Sequence, residues 1–357
     1  RNSVILDDDL LLKGLMLIYQ KNTEKQGECR MEYTVLGKTG LKVSRMGLGG
    51  IPVQRIDREG TKKLLQAMAA AGNNYSDSAR AYYVREGYLG YGLEGIRDRF
   101  ILATKSGAKD KETMARDIDI SLKNFRTDSI DLYQLHNPDA KGLEQILSPG
   151  GALEALQEAQ AAGKIGHIGI TLHSRELFQK ALDMDWVETI MFPYNFVETQ
   201  AESEIAACKE KNIGFIDMKP LAGGAIEDAR LALRFVGKNP AVTIVIPGMA
   251  ELSELQENLA AAEDKSPWTE AEEAKVEEIR KTLGSQFCRR CNYCAPCTVG
   301  IPIPSMFLME GYLSRYGLAD WARGRYEALP QTASACIECG ACEPRCPYHL
   351  PIRQMLK

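Results

Sequence analysis

The sequence predicts an α/β chain: a (β/α)8 TIM barrel followed by a small helical, cysteine-rich unit. Three observations carry that prediction. Eight short β-rich runs alternate with amphipathic helical stretches between residues 46 and 262. Apolar residues make up 45% of the 357, enough for a sizeable core. Eight of the ten cysteines fall after Gly284, where the composition changes sharply.

The strand runs are Met46–Gly50, Asn74–Ser78, Ile101–Lys105, Ile130–His136, Gly166–Leu172, Thr189–Asn195, Gly214–Pro220 and Val242–Gly248. Helical stretches separate them, among them Asp57–Ala71, Lys111–Asn124, Ala152–Ala162 and Ala201–Lys211. This alternation predicts parallel βαβ units. Eight of them fit a closed barrel, which takes about 250 residues. An open doubly wound sheet would place G-x-G-x-x-G after its first strand, and Gly47-Leu48-Gly49-Gly50 lacks that spacing. Ahead of the barrel, Tyr33–Val35 and Leu41–Ser44 flank Gly37-Lys38-Thr39-Gly40. That reads as a hairpin able to plug the barrel floor. Residues 1–30 are expected to be a flexible or mis-called extension, with Met31 as the start. The expected division is then 31–284 for the barrel and 285–357 for the cysteine unit.

A net charge of −4 gives no basic stripe for nucleic acid. The longest apolar run, Leu10 to Tyr19, is too short for a membrane span and is broken by Lys13. Asp7, Asp8 and Asp9 precede it, where a signal peptide needs positive charge. A cytoplasmic protein is expected, and in that setting clustered cysteines bind metal and not one another.

Active sites of such barrels lie at the C-terminal strand ends. There the sequence puts Asp77, Lys105 and His136, with Tyr82 five residues after the aspartate. An ammonium beside a phenol lowers its pKa from about 10. A carboxylate would hold that lysine. The phenol could then exchange a proton with an alkoxide, and the histidine could orient the carbonyl. A nicotinamide would supply the hydride this set lacks.

The segment Tyr33-Thr34-Val35-Leu36-Gly37-Lys38-Thr39-Gly40-Leu41-Lys42-Val43-Ser44 resembles the opening of aldo-keto reductases. Asp77-Ser78-Ala79-Arg80-Ala81-Tyr82 resembles their D-T-A-x-x-Y motif, and Glu86 and Gly90 continue it. Leu102-Ala103-Thr104-Lys105 and Asp131-Leu132-Tyr133-Gln134-Leu135-His136 are similar to their lysine and histidine strands. The resemblance runs over about residues 32–262. It implies a catalytic set of Asp77, Tyr82, Lys105 and His136.

The cofactor positions depart from that family. Thr171 and Leu172 stand where Ser-Asn is usual, Met191 replaces a glutamine, and Met218 replaces a stacking aromatic. Iron–sulfur-bearing relatives show similar Met-Lys-Pro-Leu and [S/T]-x-H patterns, here Met218-Lys219-Pro220-Leu221 and Thr171-Leu172-His173. The resemblance thus implies contacts to NAD(H) or NADP(H) from Thr171, Met218, Lys219, Pro220, Leu221, Pro247, Gly248, Glu257 and Asn258. Glu254 replaces an arginine-like residue that would neutralise a 2′-phosphate, which favours NADH.

The cysteine runs are Cys288-Arg-Arg-Cys291-Asn-Tyr-Cys294-Ala-Pro-Cys297 and Cys336-Ile-Glu-Cys339-Gly-Ala-Cys342-Glu-Pro-Arg-Cys346-Pro347. The second fits the bacterial C-x2-C-x2-C-x3-C-P pattern, and the first is a shortened version. Both point to [4Fe–4S] clusters in a helical ferredoxin-like domain. In two-cluster ferredoxins the fourth thiolate serves the other cluster. Cys288, Cys291, Cys294 and Cys346 are therefore assigned to one cluster, and Cys336, Cys339, Cys342 and Cys297 to the second. Zinc is disfavoured, because it takes two separated pairs and not triplets in series. The aromatic and Met residues between Ile303 and Thr332 are expected to shield the clusters.

The expected activity is hydride transfer between a nicotinamide and a small carbonyl or alcohol. The clusters would serve a redox partner protein or the fold. The competing expectation is an iron–sulfur electron-transfer protein whose barrel is a docking module.

Overall fold

A computed structural model describes residues 31–82 and 85–357. The expectation for residues 1–30 lies outside the described residues. The sheet contains eight strands, all parallel, in sequential order. They are β3 (Leu48–Gly49), β4 (Tyr75–Asp77), β5 (Ile101–Ser106), β6 (Ile130–His136), β7 (Ile165–Thr171), β8 (Thr189–Pro193), β9 (Gly214–Met218) and β10 (Ile244–Ile246). Parallel bridges Met46 to Val245 and Gly49 to Gly248 join the first run to the last, closing the barrel. Among the described residues, no helix is long and apolar enough to cross a membrane.

Strand periodicity of two sends alternate side chains inward. Tyr75, Ala103, Leu132, Met191, Ile216, Ile244 and Ile246 fill the barrel interior. Their outward neighbours, such as Leu102, Tyr133, Ile170 and Phe215, pack against the helical ring. Two residues further along the same inward rows lie Asp77, Lys105 and Gln134. The apolar floor and the polar mouth are therefore one pattern read at two heights.

The helices start where capping chemistry begins. Asp57 caps Arg58–Ala70 through Gly60. Asp110 caps Lys111–Phe125 through Thr113, and Asp139 caps Ala140–Leu147 through Gly142. In each, a side-chain oxygen satisfies an orphan backbone N–H. A helix beyond the barrel, Glu270–Leu283, opens with a capping box of Thr269 and Glu272. Its Val276 packs with Phe196, Val197 and Leu231.

The N-terminal hairpin pairs β1 (Tyr33–Val35) with β2 (Lys42–Ser44), Tyr33 opposite Ser44 and Val35 opposite Lys42. Leu36 and Val43 join the interior cluster, so the hairpin seals the floor. Burying one such leucine contributes roughly 1.5–3 kcal/mol. At the seal Gly37 has φ 56°, and a Cβ there would fall 2.2 Å from the Gly214 backbone nitrogen. Gly37→Ala should therefore be costly, combining a left-handed penalty of about 1–2 kcal/mol with a backbone clash. We expect the melting temperature to fall by about 5 °C or more at fixed scan rate. An unchanged melting curve would show that the floor does not depend on this seal.

Candidate active site and cluster cavities

The barrel mouth opens into a cavity of about 630 Å³. Lys105 and Asp77 form a buried ion pair at its base. Lys105 Nζ also donates to the Ser78 carbonyl at 2.6 Å. Gln134 Nε2 donates to the other carboxylate oxygen of Asp77 at 3.1 Å. Register explains the meeting: Asp77 lies beside Ala103 on β5, and Lys105 beside Gln134 on β6. Gly50 is needed here, since a Cβ on it would sit 2.4 Å from the Asp77 carbonyl oxygen. Burial pulls the Asp77 carboxyl up and the Lys105 amine down, and each charge opposes the shift of the other.

Tyr82 follows β4 in a short 3-10 turn, Arg80–Tyr82. Glu86 anchors this turn. It accepts from Arg80 at 2.8 Å, Thr104 at 2.8 Å, Ser121 at 2.8 Å and Asn124 at 3.0 Å. The Tyr82 ring lies 6.1 Å from the His136 ring, nearly perpendicular to it. Lys105 Nζ is 5.3 Å from the centre of the Tyr82 ring.

This geometry corrects one expectation. The Lys105 ammonium is engaged by Asp77 and Ser78, and among the described residues no hydrogen bond joins it to the Tyr82 hydroxyl. Burial first, then the Asp77 charge, raises the Tyr82 pKa well above its ordinary 10. The phenol is therefore held protonated and not acidified. Burial, reinforced by the Lys105, Lys219 and Arg325 charges, brings His136 down to about 3. The imidazole is neutral at physiological pH.

Thr171, Met191, Met218, Lys219 and Gly248 line the cavity at the ends of the later strands. Pro220, Leu221, Pro247, Glu257 and Asn258 do not. Leu172 is fully buried in the outer layer among the helices, so its place at the mouth passes to His173. Glu254 is not a free surface carboxylate. It caps the helix Leu252–Glu263 through Ala250 and Glu251 and accepts from Arg55 at 2.6 Å.

No motif or spacing pointed to the roof. Tyr312, Tyr316, Trp321 and Arg325, all from the cysteine unit, cover the cavity. Arg325 donates to the Ala81 carbonyl at 2.8 Å, next to Tyr82. Only part of the segment expected to shield the clusters does so: Ile303, Met306 and Phe307 pack with the cysteines, whereas Tyr312, Tyr316 and Trp321 form a separate cluster facing the barrel. A helical periodicity would have exposed the aromatic stripe but not its partner.

Two small cavities hold the cysteines. Cys288, Cys291, Cys294 and Cys346 line one, and Cys297, Cys336, Cys339 and Cys342 line the other. Ile303 borders both. Among the described residues, no three His, Cys, Asp or Glu side chains converge as a single ion requires. Four soft thiols around a space fit a cube of iron and sulfide better than a lone zinc. Cys291, Asn292 and Pro304 border the first of these cavities and the substrate-sized cavity alike.

A sequence model of the Aldo/keto reductase family matches residues 45–230, and one of the 4Fe-4S dicluster domain matches residues 287–351. The chain is 26% identical to L-galactose dehydrogenase of Arabidopsis thaliana over 65% of its own length and 88% of that protein's. It is 30% identical to Aldo-keto reductase YhdN of Bacillus subtilis, over 51% of this chain and 59% of that one. Its fold matches aldo-keto reductase AKR11C1 of Bacillus halodurans in its holo form, with a TM-score of 0.61 at 22% identity, over 70% of this chain and 96% of that one.

The crossed arrangement of cysteines has a direct test in iron content. Cys291→Ser combined with Cys346→Ser should remove one cluster and leave about four irons per chain. Cys291→Ser combined with Cys297→Ser should remove both. Uncrossed ligation would give the reverse pattern.

Proposed function

The chain belongs to the aldo/keto reductase family and carries a C-terminal 4Fe-4S dicluster domain, and from that premise we propose that it transfers a hydride between a nicotinamide and a small carbonyl or alcohol. The observation that carries this reading is the joint placement of Asp77, Lys105, Tyr82 and His136 around one cavity. In this reading the barrel unit is 31–284 and the iron–sulfur unit 285–357.

A nicotinamide cofactor, when bound, supplies or accepts the hydride. The residues present fit its ring: the Met191 and Met218 thioethers offer an apolar shelf, with Thr171 at its edge. Tyr82 acts as the general acid. A phenol kept protonated by burial gives its proton to a developing alkoxide without first having to capture one. His136, neutral, donates an N–H to the same oxygen and orients the carbonyl. Lys105 contributes its positive charge beneath the phenol, and Asp77 with Gln134 holds it there. NADH is favoured over NADPH, because the resemblance puts the Glu254 carboxylate, here paired with Arg55, where a positive residue would meet a 2′-phosphate. The eight cysteines named above would hold two [4Fe–4S] clusters, which carry one electron each.

One observation favours a second reading. Cys291 lies on the wall shared by the first cluster cavity and the main cavity. In that reading the eight cysteines would hold clusters that exchange electrons with a redox partner protein, and the barrel would serve as the binding or docking module.

Anaerobically purified enzyme assayed on a carbonyl panel with both cofactors tests the first reading. Tyr82→Phe should lower turnover by about 10²–10⁴-fold. Turnover within threefold of the parent would remove Tyr82 from the chemistry. Bleaching of the cluster absorption by NADH alone, without carbonyl reduction, would favour the second reading. Efficiency with NADPH above that with NADH would overturn the cofactor assignment.

A further inference from the structure

We propose that Arg325, from the cysteine unit, is a positioning residue for Tyr82, and that the cysteine scaffold sets it in place through Tyr326. The chemical role rests on the Tyr82 reading above; the contacts that fix Arg325 do not depend on it.

The helix Ala319–Glu327 carries both residues. Arg325 Cζ lies 4.4 Å from the centre of the Trp321 ring, one helical turn back, which restrains a long side chain. Arg325 Nη2 donates to the Ala81 carbonyl at 2.8 Å. That carbonyl belongs to the peptide unit whose N–H is the one of Tyr82. The same N–H donates to the Ala79 carbonyl at 3.0 Å. Both ends of one planar unit are therefore held, one from the barrel and one from the tail. The orientation of this plane sets the backbone of Tyr82 and, with it, the direction of the phenol. Glu86 grips the turn elsewhere, at the Arg80 side chain.

Charge adds to the geometry. Lys105 is already taken up by Asp77. Among the described residues, no carboxylate is paired with Arg325. Its positive charge acts on Tyr82 against the upward pull of burial and of Asp77. A cation there favours the phenolate left when the proton moves to the substrate oxygen.

Tyr326 joins the two parts of the tail. It packs against the cysteine cluster and also against the roof cluster of Met309, Tyr312, Leu318 and Ala322. Its hydroxyl accepts from the Ala333 N–H at 3.2 Å. Ala333 opens the short turn Ala333–Ala335, which leads into Cys336. The Cys336 N–H closes that turn on the Ala333 carbonyl at 3.0 Å. Contacts thus run without a gap from Cys336 through Ala333 and Tyr326 to Arg325 and Ala81. A thiolate fixed by iron fixes this helix, and one released from iron frees it.

Hydrogen exchange of the full cluster-loaded chain, read by mass spectrometry on the peptide that contains Tyr82, tests this without turnover. Arg325→Met should speed exchange there at least tenfold, and Arg325→Lys should keep part of the protection. Cys336→Ser combined with Cys339→Ser should speed it similarly, with β6 peptides unchanged. Tyr326→Phe should speed it at least twofold with cluster absorption retained. If Arg325→Met itself loses cluster absorption, Arg325→Gln decides by the same criterion. Turnover then separates positioning from general loosening. Arg325→Met should lower kcat about tenfold with KM within threefold, and the loss should vanish in a Tyr82→Phe background. Unchanged exchange in the Arg325 variant would overturn the positioning role. So would an undiminished loss of turnover once Tyr82 is replaced. Unchanged exchange in the doubly substituted cysteine variant would overturn the link to the scaffold. Parental turnover in Tyr82→Phe alone would sink the Tyr82 reading, and exchange by itself would then show whether Arg325 holds the turn.

Discussion

An ammonium group enclosed at the mouth of a closed barrel has to be compensated, and the rest of the site follows from how Lys105 is. Stripping a lysine of water costs several kcal/mol, recovered only by close opposite charge and full hydrogen bonding. Lys105 obtains both, from the Asp77 carboxylate and the Ser78 carbonyl. Asp77 needs a further donor, and Gln134 provides it. None of these partners could be moved without shifting strand register, because β4, β5 and β6 each supply one of them from an inward row. The compensation also sets the direction of the proton chemistry. A lysine already neutralised by Asp77 has little left with which to acidify a phenol. Tyr82, kept protonated first by burial and then by the Asp77 charge, stays a phenol able to donate.

The second constraint comes from the tail. Four arginines of the cysteine unit reach barrel loops. Arg289 donates to the Val197 carbonyl at 3.0 Å, Arg290 pairs with Glu198, Arg315 donates to the Gly223 carbonyl at 3.2 Å, and Arg325 donates to the Ala81 carbonyl. Loop carbonyls at a barrel mouth lack sheet partners, and guanidinium groups are suited to satisfy them. The outcome is a roof that is covalently part of the chain but sequentially remote. The cavity belongs to neither unit alone: its floor and reactive groups come from strand ends, its ceiling from helices of the cysteine unit.

Much of the barrel could be read from the chain. β6 runs Ile130–His136, residue for residue as its β-rich pattern predicts, because it is bounded by polar residues on both sides. β8 and β9 end two residues early, at Pro193 and Met218, where the chain turns into loops that alternation cannot reveal. Glu86 and Gly90, which only resemblance singled out, acquire physical reasons: one carboxylate fixes the Tyr82 turn, and a Cβ on Gly90 would strike the Asn124 carbonyl oxygen at 2.2 Å. Leu172, which stands where the resemblance has an asparagine, is excluded from the mouth by parity. β7 points Thr171 inward, so its neighbour must point outward, and the next inward side chain is His173. Arg325 was invisible for a different reason. Its contact with Ala81 spans 244 residues, and no local pattern encodes a partner so distant.

The tail's dependence on metal makes the structural and electronic roles of the clusters less separate than they first look. A small cysteine-rich unit with thiols facing two cavities has little apolar core of its own, and metal binding then supplies much of its folding free energy. The helix Ile303–Ser314 begins at the residue shared by both cluster cavities and ends in the Tyr312 stripe over Tyr82. One rigid element thus ties the thiolate scaffold to the roof of the reactive cavity. Loss of iron would loosen that helix at its origin and, with it, the placement of Tyr312, Trp321 and Arg325. Loaded clusters would therefore shape the cavity whether or not they pass electrons.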